Sequence, residues 1–478
     1  MIMEFDLNKR HCYWFNELTK IPHGSRNEKA LSDFIVEFAK DHGLAYKQDE
    51  VFNVIIDKKA SPGYEDSETL VLQAHMDMVC EKNGDCDHDF LKDPLDLYVE
   101  DGLLKARGTT LGADDGTGVA YMLAILEDDS LAHPPLSCIF TTMEEIGLLG
   151  AAQLKPEDVH GHRMVSLDGG GECHTLLSSA GGGTSVITRK VLYVMNDDPC
   201  LVLNVKGLLG GHSGGDIHLE KGNANKIAAR MIKEAQRKGF NLRLVSFDGG
   251  MKDNAIPREA KAVLAYKGDF DAIKAFMADT EKKIWKELEF SDAGFKVELE
   301  KTESIKKMSA DDSDAVINML YLLPNGMKNR SMVIEGLTTT SLNVGVVTTR
   351  DDVVEVQTLV RAALDSNTDD LLDQIAVLCE LIGFKHTVEG KYPGWSYSEV
   401  SPMRDIFGKV CEENGRKLEI SAAHGGCECG VFKGLDPEID IISFGPITRY
   451  IHTPDEELDL ESFDRSYNLL CEIIKACR

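Results

Sequence analysis

Short apolar runs, three of which lead into a histidine or a carboxylate, constrain this chain more than any other feature. Runs 51–57, 69–75, 137–142 and 163–167 are bounded by turn residues and read as short buried strands; His75 ends the second, Glu144-Glu145 follow the third and Asp168 follows the fourth. Between them the spacing predicts helices. Ala30, Leu31, Phe34, Ile35 and Phe38 recur at helical intervals behind Ser25-Arg-Asn-Glu28, a capping-box pattern that predicts a helix over 26–41. Val119, Met122, Leu123 and Leu126 predict another over 115–126. Strands alternating with helices imply an α/β architecture with a mainly parallel sheet.

The pattern changes at Gly181-Gly-Gly183, which reads as a flexible junction. Beyond it, runs 201–205, 260–266, 295–299 and 353–357 alternate as strands, and segments 224–238, 270–288, 313–323 and 369–382 have helical periodicity. This predicts an inserted α+β domain, with two similar strand-helix-strand units in tandem. A buried strand over 438–444 and a closing helix over 460–476 then return to the first fold. The expected division is 1–185 and 393–478 for the interrupted domain and 186–392 for the insertion.

A length of 478 residues is ample for two cores, and 43% hydrophobic with 28% charged residues is ordinary for a globular chain. Lys and Arg number 52 against 80 Asp and Glu, a net charge of −28, which repels nucleic acid and anionic lipid; neither is an expected partner. No apolar run is long enough to span a bilayer. Residues 1–10 carry an early acid and lack the form of a secretory leader, so the twelve scattered cysteines are expected to be reduced thiols in a cytoplasmic protein. Cys427-Glu-Cys429 is a close pair without the second pair that a structural zinc site needs.

The candidate chemistry lies at the ends of the first domain's strands. His75 and Asp77 share one face of a strand end, so a carboxylate can orient a metal-binding imidazole. Asp114-Asp115 open a helix, where the dipole alone favours acids. Glu144-Glu145 are two adjacent carboxylates that call for a cation or a proton between them. Asp168 ends another strand, the end at which open α/β sheets place ligands, and His452 precedes a polar turn. Two imidazoles with several carboxylates suit two divalent ions, zinc first, with manganese or cobalt open.

The runs Leu72-Gln-Ala-His-Met-Asp-Met-Val79, Gly108-Thr-Thr-Leu-Gly-Ala-Asp-Asp-Gly116, Met143-Glu-Glu-Ile-Gly147, Leu167-Asp-Gly169, Gly210-Gly-His-Ser-Gly214, Asn254-Ala-Ile-Pro-Arg258 and Ile451-His-Thr-Pro-Asp-Glu456 resemble the aminoacyl-histidine (Xaa-His) dipeptidase branch of the di-zinc exopeptidases, relatives of carnosinases, desuccinylases and aminoacylases. The resemblance spans nearly the whole chain. It implies that His75 and Asp168 hold one metal, Glu145 and His452 the other, and that Asp114 bridges them. It further makes Asp77 the partner of His75, Glu144 the general base, and residues 186–392 a lid over a catalytic domain. His212 matches the lid histidine that stabilises the oxyanion and meets the substrate. Arg361 and the loop His424-Gly-Gly-Cys-Glu-Cys-Gly430, including Gly426, resemble substrate-contacting segments. Asp115 departs from the branch, which often has Asn there, and is expected to add negative charge beside the site.

The implied function is a metal-dependent dipeptidase acting on Xaa-His dipeptides, β-alanyl-histidine included, in which a metal-activated water attacks the amide and Glu144 handles its proton. An N-acyl amino acid amidohydrolase is an alternative use of the same site, and a non-catalytic metal-binding scaffold is a third reading. Retention of Glu144 and His212 argues against the third. The resemblance leaves a homodimer open, and the expected lid size favours His212 serving its own active site.

Overall fold

Strand Leu70–His75 is buried along its whole length and sits inside a six-stranded sheet of the first of two compact units. The computed structural model describes residues 5–478; the four residues before them, part of the segment read above for a leader, lie outside the described residues. In sheet order the strands are Ala45–Gln48, Val54–Lys58, Leu136–Thr141, Leu70–His75, Arg163–Ser166 and Asp440–Ser443. The last four pair in parallel, with His75 opposite Thr141 and Gln73 opposite Ser166. Val54–Lys58 alone runs against the rest, so the sheet is mainly parallel.

Alternation along the central strand divides the core. Leu70, Leu72 and Ala74 pack with Phe15, Tyr121, Phe140 and Phe463 on one face, whereas Val71 packs with Ile139, Met164, Phe432 and Ile441 on the other. Gln73 and His75 share the Val71 face by the same period. Of the described residues the unit comprises 5–179, 395–422 and 427–478, so its closing strand and helix Leu460–Ala476 follow the insertion in sequence.

The second unit comprises 180–394 with 423–426. Its nine-stranded sheet runs Lys296–Thr302, Cys200–Lys206, Ala260–Lys267, Asn241–Gly249, Thr338–Arg350, Val353–Ala362, Gly181–Lys190 and Lys385–Tyr392, with Gly326–Arg330 added beside Thr338–Arg350. The first four strands with helices Ala224–Lys238 and Phe270–Leu288 form one βαββαβ unit, and the last four with Ala310–Leu322 and Asp365–Ile382 form another. They are not in tandem. Strand Gly181–Lys190 belongs to the second βαββαβ unit yet precedes the whole of the first, so one is nested in the other.

Two local readings change. Gly181-Gly-Gly183 is strand, paired with Ala362, Arg361 and Val360, and a Cβ on Gly181 would lie 2.4 Å from the Gly394 nitrogen. These glycines permit close packing and are no flexible junction, which moves the boundary back to 179/180. The helix after the capping-box motif starts at Lys29, and Arg26 has φ +71. Ser25 donates to Asp77 Oδ2 at 2.7 Å and Glu28 accepts from the Met143 N–H at 3.0 Å, so the motif serves tertiary bonds in place of a cap.

Candidate metal centre

His75 is the last residue of its strand, Glu144 and Glu145 follow strand Leu136–Thr141, and Asp168 follows Arg163–Ser166. Parallel neighbours thus deliver these side chains to one end of the sheet. Asp114 arrives from the start of helix Ala113–Glu127, behind Gly112 at φ +70. Glu456 fixes that approach by accepting the N–H groups of Leu111, Gly112 and Ala113 at 2.7, 3.1 and 2.9 Å. His452 is supplied by a turn in which Tyr450 and His452 both have positive φ, 54 and 64°.

The Asp114 carboxylate is divided between the two imidazoles. Its Oδ1 lies 3.1 Å from His75 Nε2 and its Oδ2 lies 3.2 Å from His452 Nε2. Glu145 Oε1 is 2.8 Å from His452 Nε2, yet that buried oxygen has no hydrogen bond of acceptable geometry. His75 Nδ1 lies 3.0 Å from the Asp77 carbonyl oxygen and donates to it, so the neutral ring would turn its Nε2 lone pair toward Asp114. In that form two acceptors would face each other. Ligand atoms around a tetrahedral zinc stand about 3.3 Å apart, given metal bonds of about 2.0–2.1 Å, so the residues fit a divalent cation.

Electrostatics agree. Among the described residues no lysine or arginine pairs with Asp77, Asp114, Glu144, Glu145 or Asp168. Desolvation and then Asp114 push Asp168 up to about 7, and desolvation followed by the charges of Asp168, Glu428 and Glu145 lifts Glu144 well above the usual carboxylate range. His452 rises to about 10 through Asp114 and Glu145. Burial opposes a charged His75, but Asp114 and Asp77 outweigh it and raise the imidazole well above its ordinary value. Acids packed this closely raise one another and the imidazoles beside them. Asp115 corrects an expectation: burial, with Asp168 and Asp114, drives it well up, so its surroundings favour the neutral form over an added negative charge.

Asp77 ties the parts together. Besides the Ser25 hydroxyl, it accepts the Glu144 N–H at 2.9 Å on Oδ1 and the Glu145 N–H at 3.3 Å on Oδ2. His75, Asp114 and Glu145 thus form one cluster of ligand atoms, His452 joins it through Asp114 and Glu145, and Asp168 acts electrostatically on Asp114, His75 and Glu145.

His212, Arg361 and Gly426 belong to the second unit. His212 pairs with Ala255, which brings the Gly210–Gly214 and Asn254–Arg258 motifs side by side. Its Nδ1 accepts the N–H groups of Gly214 and Gly215 at 3.3 and 3.0 Å, so the neutral ring carries its proton on Nε2. Arg361 is buried opposite Ser341 and Gly182; it donates to the Tyr392 hydroxyl at 2.9 Å and to Ser213 Oγ at 3.4 Å. No carboxylate pairs with it among the described residues. A Cβ on Gly426 would lie 2.7 Å from the Tyr392 ring.

Ser25, Glu28, Glu456 and Glu428 shape the site without having been assigned to it, although Glu456 and Glu428 lie inside the runs 451–456 and 424–430. Glu428 Oε2 accepts from Gln73 Nε2 at 2.5 Å and Thr141 Oγ1 at 2.7 Å, partners far away in sequence.

The fold and this cluster define a hydrolase with a site suited to divalent metal. The chain belongs to peptidase family M20/M25/M40, a family of metallopeptidases, whose model matches residues 71–476. It is 38% identical over 466 residues to the cytosol non-specific dipeptidase of Escherichia coli strain K12, covering 96% of each chain. The crystal structure of aminoacylhistidine dipeptidase from Vibrio alginolyticus superposes with a TM-score of 0.89 at 35% identity, over 98% of this chain and 96% of that one. Aminopeptidase PepT from Bacillus cereus shares the fold at 16% identity and a TM-score of 0.57, over 99% and 100% of the two chains.

Proposed function

We propose that the protein is a metal-dependent dipeptidase that hydrolyses dipeptides, Xaa-His dipeptides among them. The observation that carries this reading is the Asp114 carboxylate with one oxygen toward each of two imidazoles, 3.1 and 3.2 Å away. The E. coli and Vibrio relatives, both dipeptidases by name, support a dipeptide substrate, and the former a cytosolic setting.

His75 and Asp168 are assigned to one divalent ion, Glu145 and His452 to a second, and Asp114 to both. Zinc suits the mixed nitrogen and oxygen donors, and manganese or cobalt would be accepted. When bound, such ions polarise the scissile carbonyl and bring the pKa of a water near neutrality. Glu144 takes the water proton at its carboxylate and passes it to the leaving amine. Burial and the neighbouring carboxylates raise its pKa, which strengthens it as a proton acceptor, and Asp77 holds its backbone in place.

The first unit is the catalytic domain and the second the lid. His212 presents Nε2–H as the donor to the oxyanion, a role that requires the tautomer set by Gly214 and Gly215. Arg361, a buried guanidinium without an acidic partner, takes the substrate carboxylate, with Gly426 in the adjoining loop. The test is a panel of Xaa-His dipeptides, other dipeptides and N-acyl amino acids offered to chelator-treated and metal-restored protein. Chelation abolishes dipeptide hydrolysis and zinc, cobalt or manganese restores it; full turnover in metal-free protein would falsify the assignment.

A further inference from the structure

Cys427 and Cys429 are a close thiol pair that the proposed chemistry does not use. Cys427 is the N-cap of helix Glu428–Leu435, with extended backbone at φ −152 and ψ 162, a position from which a side chain folds back over the first turn. Glu428 between them is helical, and residues two apart across a helical residue have Cα atoms about 5.4 Å apart. That separation lies inside the range of about 4.4–6.8 Å that a disulfide accepts. Cys427 is partly buried, the less buried of the two, whereas Cys429 is 2% exposed. The Cys429 thiol is the chief influence holding the Cys427 thiol below its ordinary range, and Cys429 is raised in return. The less buried Cys427 sulfur is therefore placed to react first and its neighbour to follow.

Glu428 connects this pair to the metal centre. Both of its hydrogen bonds fall on Oε2, from Gln73 Nε2 at 2.5 Å and Thr141 Oγ1 at 2.7 Å, while buried Oε1 has no partner. Gln73 precedes His75 by two residues on the same strand face, and Thr141 is the residue opposite His75. Movement of Glu428 removes a prop from both neighbours of that imidazole.

We propose that Cys427 and Cys429 are a redox-reactive dithiol, oxidised by a hydroperoxide to a disulfide that draws Glu428 away from Gln73 and Thr141 and slows hydrolysis. The Cys427 thiolate attacks the terminal peroxide oxygen; the O–O bond breaks, an alcohol or water departs after protonation, and a sulfenic acid remains. The Cys429 sulfur then attacks the Cys427 sulfur, its proton leaving with the hydroxyl as water, so the two thiols give up two electrons to the peroxide. An 11-atom ring closed through a single intervening residue is strained, which makes the bond readily reversible by a thiol reductant.

The experiment exposes metal-loaded full-length protein to hydrogen peroxide, blocks free thiols and maps linkages by mass spectrometry without reduction. Dipeptide hydrolysis is followed in parallel, each variant referred to its own untreated rate. Wild type is expected to show a Cys427–Cys429 linkage and to lose at least tenfold in rate, with recovery in dithiothreitol. Cys427→Ser and Cys429→Ser should form no such linkage and resist the same exposure. Glu428→Ala with reduced thiols should reproduce the loss. Absence of the linkage, a linked protein with full activity, equal inactivation of both serine variants, or a fully active Glu428→Ala each overturns the proposal. Only the rate measurements rest on the dipeptidase reading; if untreated protein hydrolyses no dipeptide, that reading fails and the linkage map still decides whether the dithiol reacts.

Discussion

Replacing Glu456 tests whether the approach to Asp114 is built by one buried carboxylate. Glu456 is 3% exposed and accepts three backbone N–H groups, two on Oε2 from Leu111 and Gly112 and one on Oε1 from Ala113. Glu456→Ala leaves all three buried donors unpaired, and at about 1–3 kcal/mol for each the loss is about 3–6 kcal/mol once partial relaxation is allowed. Glu456→Gln is milder. Its carbonyl can keep the pair from Leu111 and Gly112, but its NH₂ then faces the Ala113 N–H, so one bond is lost at about 1–3 kcal/mol. For a domain of this size each kcal/mol lowers Tm by about 2 °C. Calorimetry of metal-free protein should therefore rank wild type above Gln above Ala, with the Ala variant about 6 °C or more below wild type. Metal content by elemental analysis should fall in the same order because Asp114 is no longer held. An alanine variant that melts with wild type and keeps its metal would refute the reasoning.

Glu144→Gln should keep its metal content and lose about 10²–10⁴ in kcat, since it removes the base and none of the assigned ligands; loss of metal there would make Glu144 a ligand. His212→Ala should lower kcat by about a hundredfold at unchanged metal content. Mixing it with Glu144→Gln protein under subunit exchange should restore nothing, and recovery would show that the histidine is supplied in trans. Asp312→Asn should destabilise the second unit by about 2–4 kcal/mol at pH 7, measured by denaturant unfolding, because Asp312 joins Arg189, the Leu192 N–H and the Ser309 hydroxyl. Burial raises that carboxyl, but Leu192, Ser309 and Arg189 outweigh it and hold it below its ordinary 3.8. A depressed folded pKa gives stability that is present above the unfolded value and lost as pH falls through the folded one, so the gap between wild type and variant should close below about pH 4. A gap independent of pH would exclude a charged Asp312 as its source.

Helices Ala224–Lys238, Phe270–Leu288 and Leu460–Ala476 have the bounds their periodicity predicts because each carries its own cap. Asn223, Asp269 and Asp459 side chains accept N–H groups of their first turns, and Gly239 at φ +103 ends the first of them. Local chemistry of that kind is legible in sequence. The helix after Ser25 has an equally good local signal and starts three residues late, because Ser25 and Glu28 bond to residues 52 and 115 positions away. Gly181-Gly-Gly183 misleads for the same reason: Gly181 answers a backbone at Pro393 and Gly394, and Gly182 the Val360 carbonyl, that adjacent sequence does not announce. At the site, the side chains that would meet metal stood out as histidines and paired acids at strand ends. Those that set their geometry did not, since Glu428 reaches Gln73 and Thr141 across 355 and 287 residues.

The two histidines with the most specific assignments show why residue type alone underdetermines chemistry. His75 donates its Nδ1–H to the Asp77 carbonyl at 3.0 Å, so in the neutral ring Nε2 keeps the lone pair and suits a cation. His212 receives two backbone N–H groups at Nδ1, at 3.3 and 3.0 Å, so its Nε2 must carry the proton and suits an anion. The side chain is the same and its outward-facing nitrogen is the same atom; the opposite function follows from whether the backbone at the other nitrogen offers a carbonyl or amides. Gly214 and Gly215 are what let the amides approach His212. A substituent at Gly214 would stand 2.4 Å from the His424 carbonyl oxygen and 3.1 Å from the His212 ring, so any side chain there displaces the ring that needs those two bonds. The polarity of His212 is thus written in its glycines, and that of His75 in the turn that brings the Asp77 carbonyl back beneath its ring.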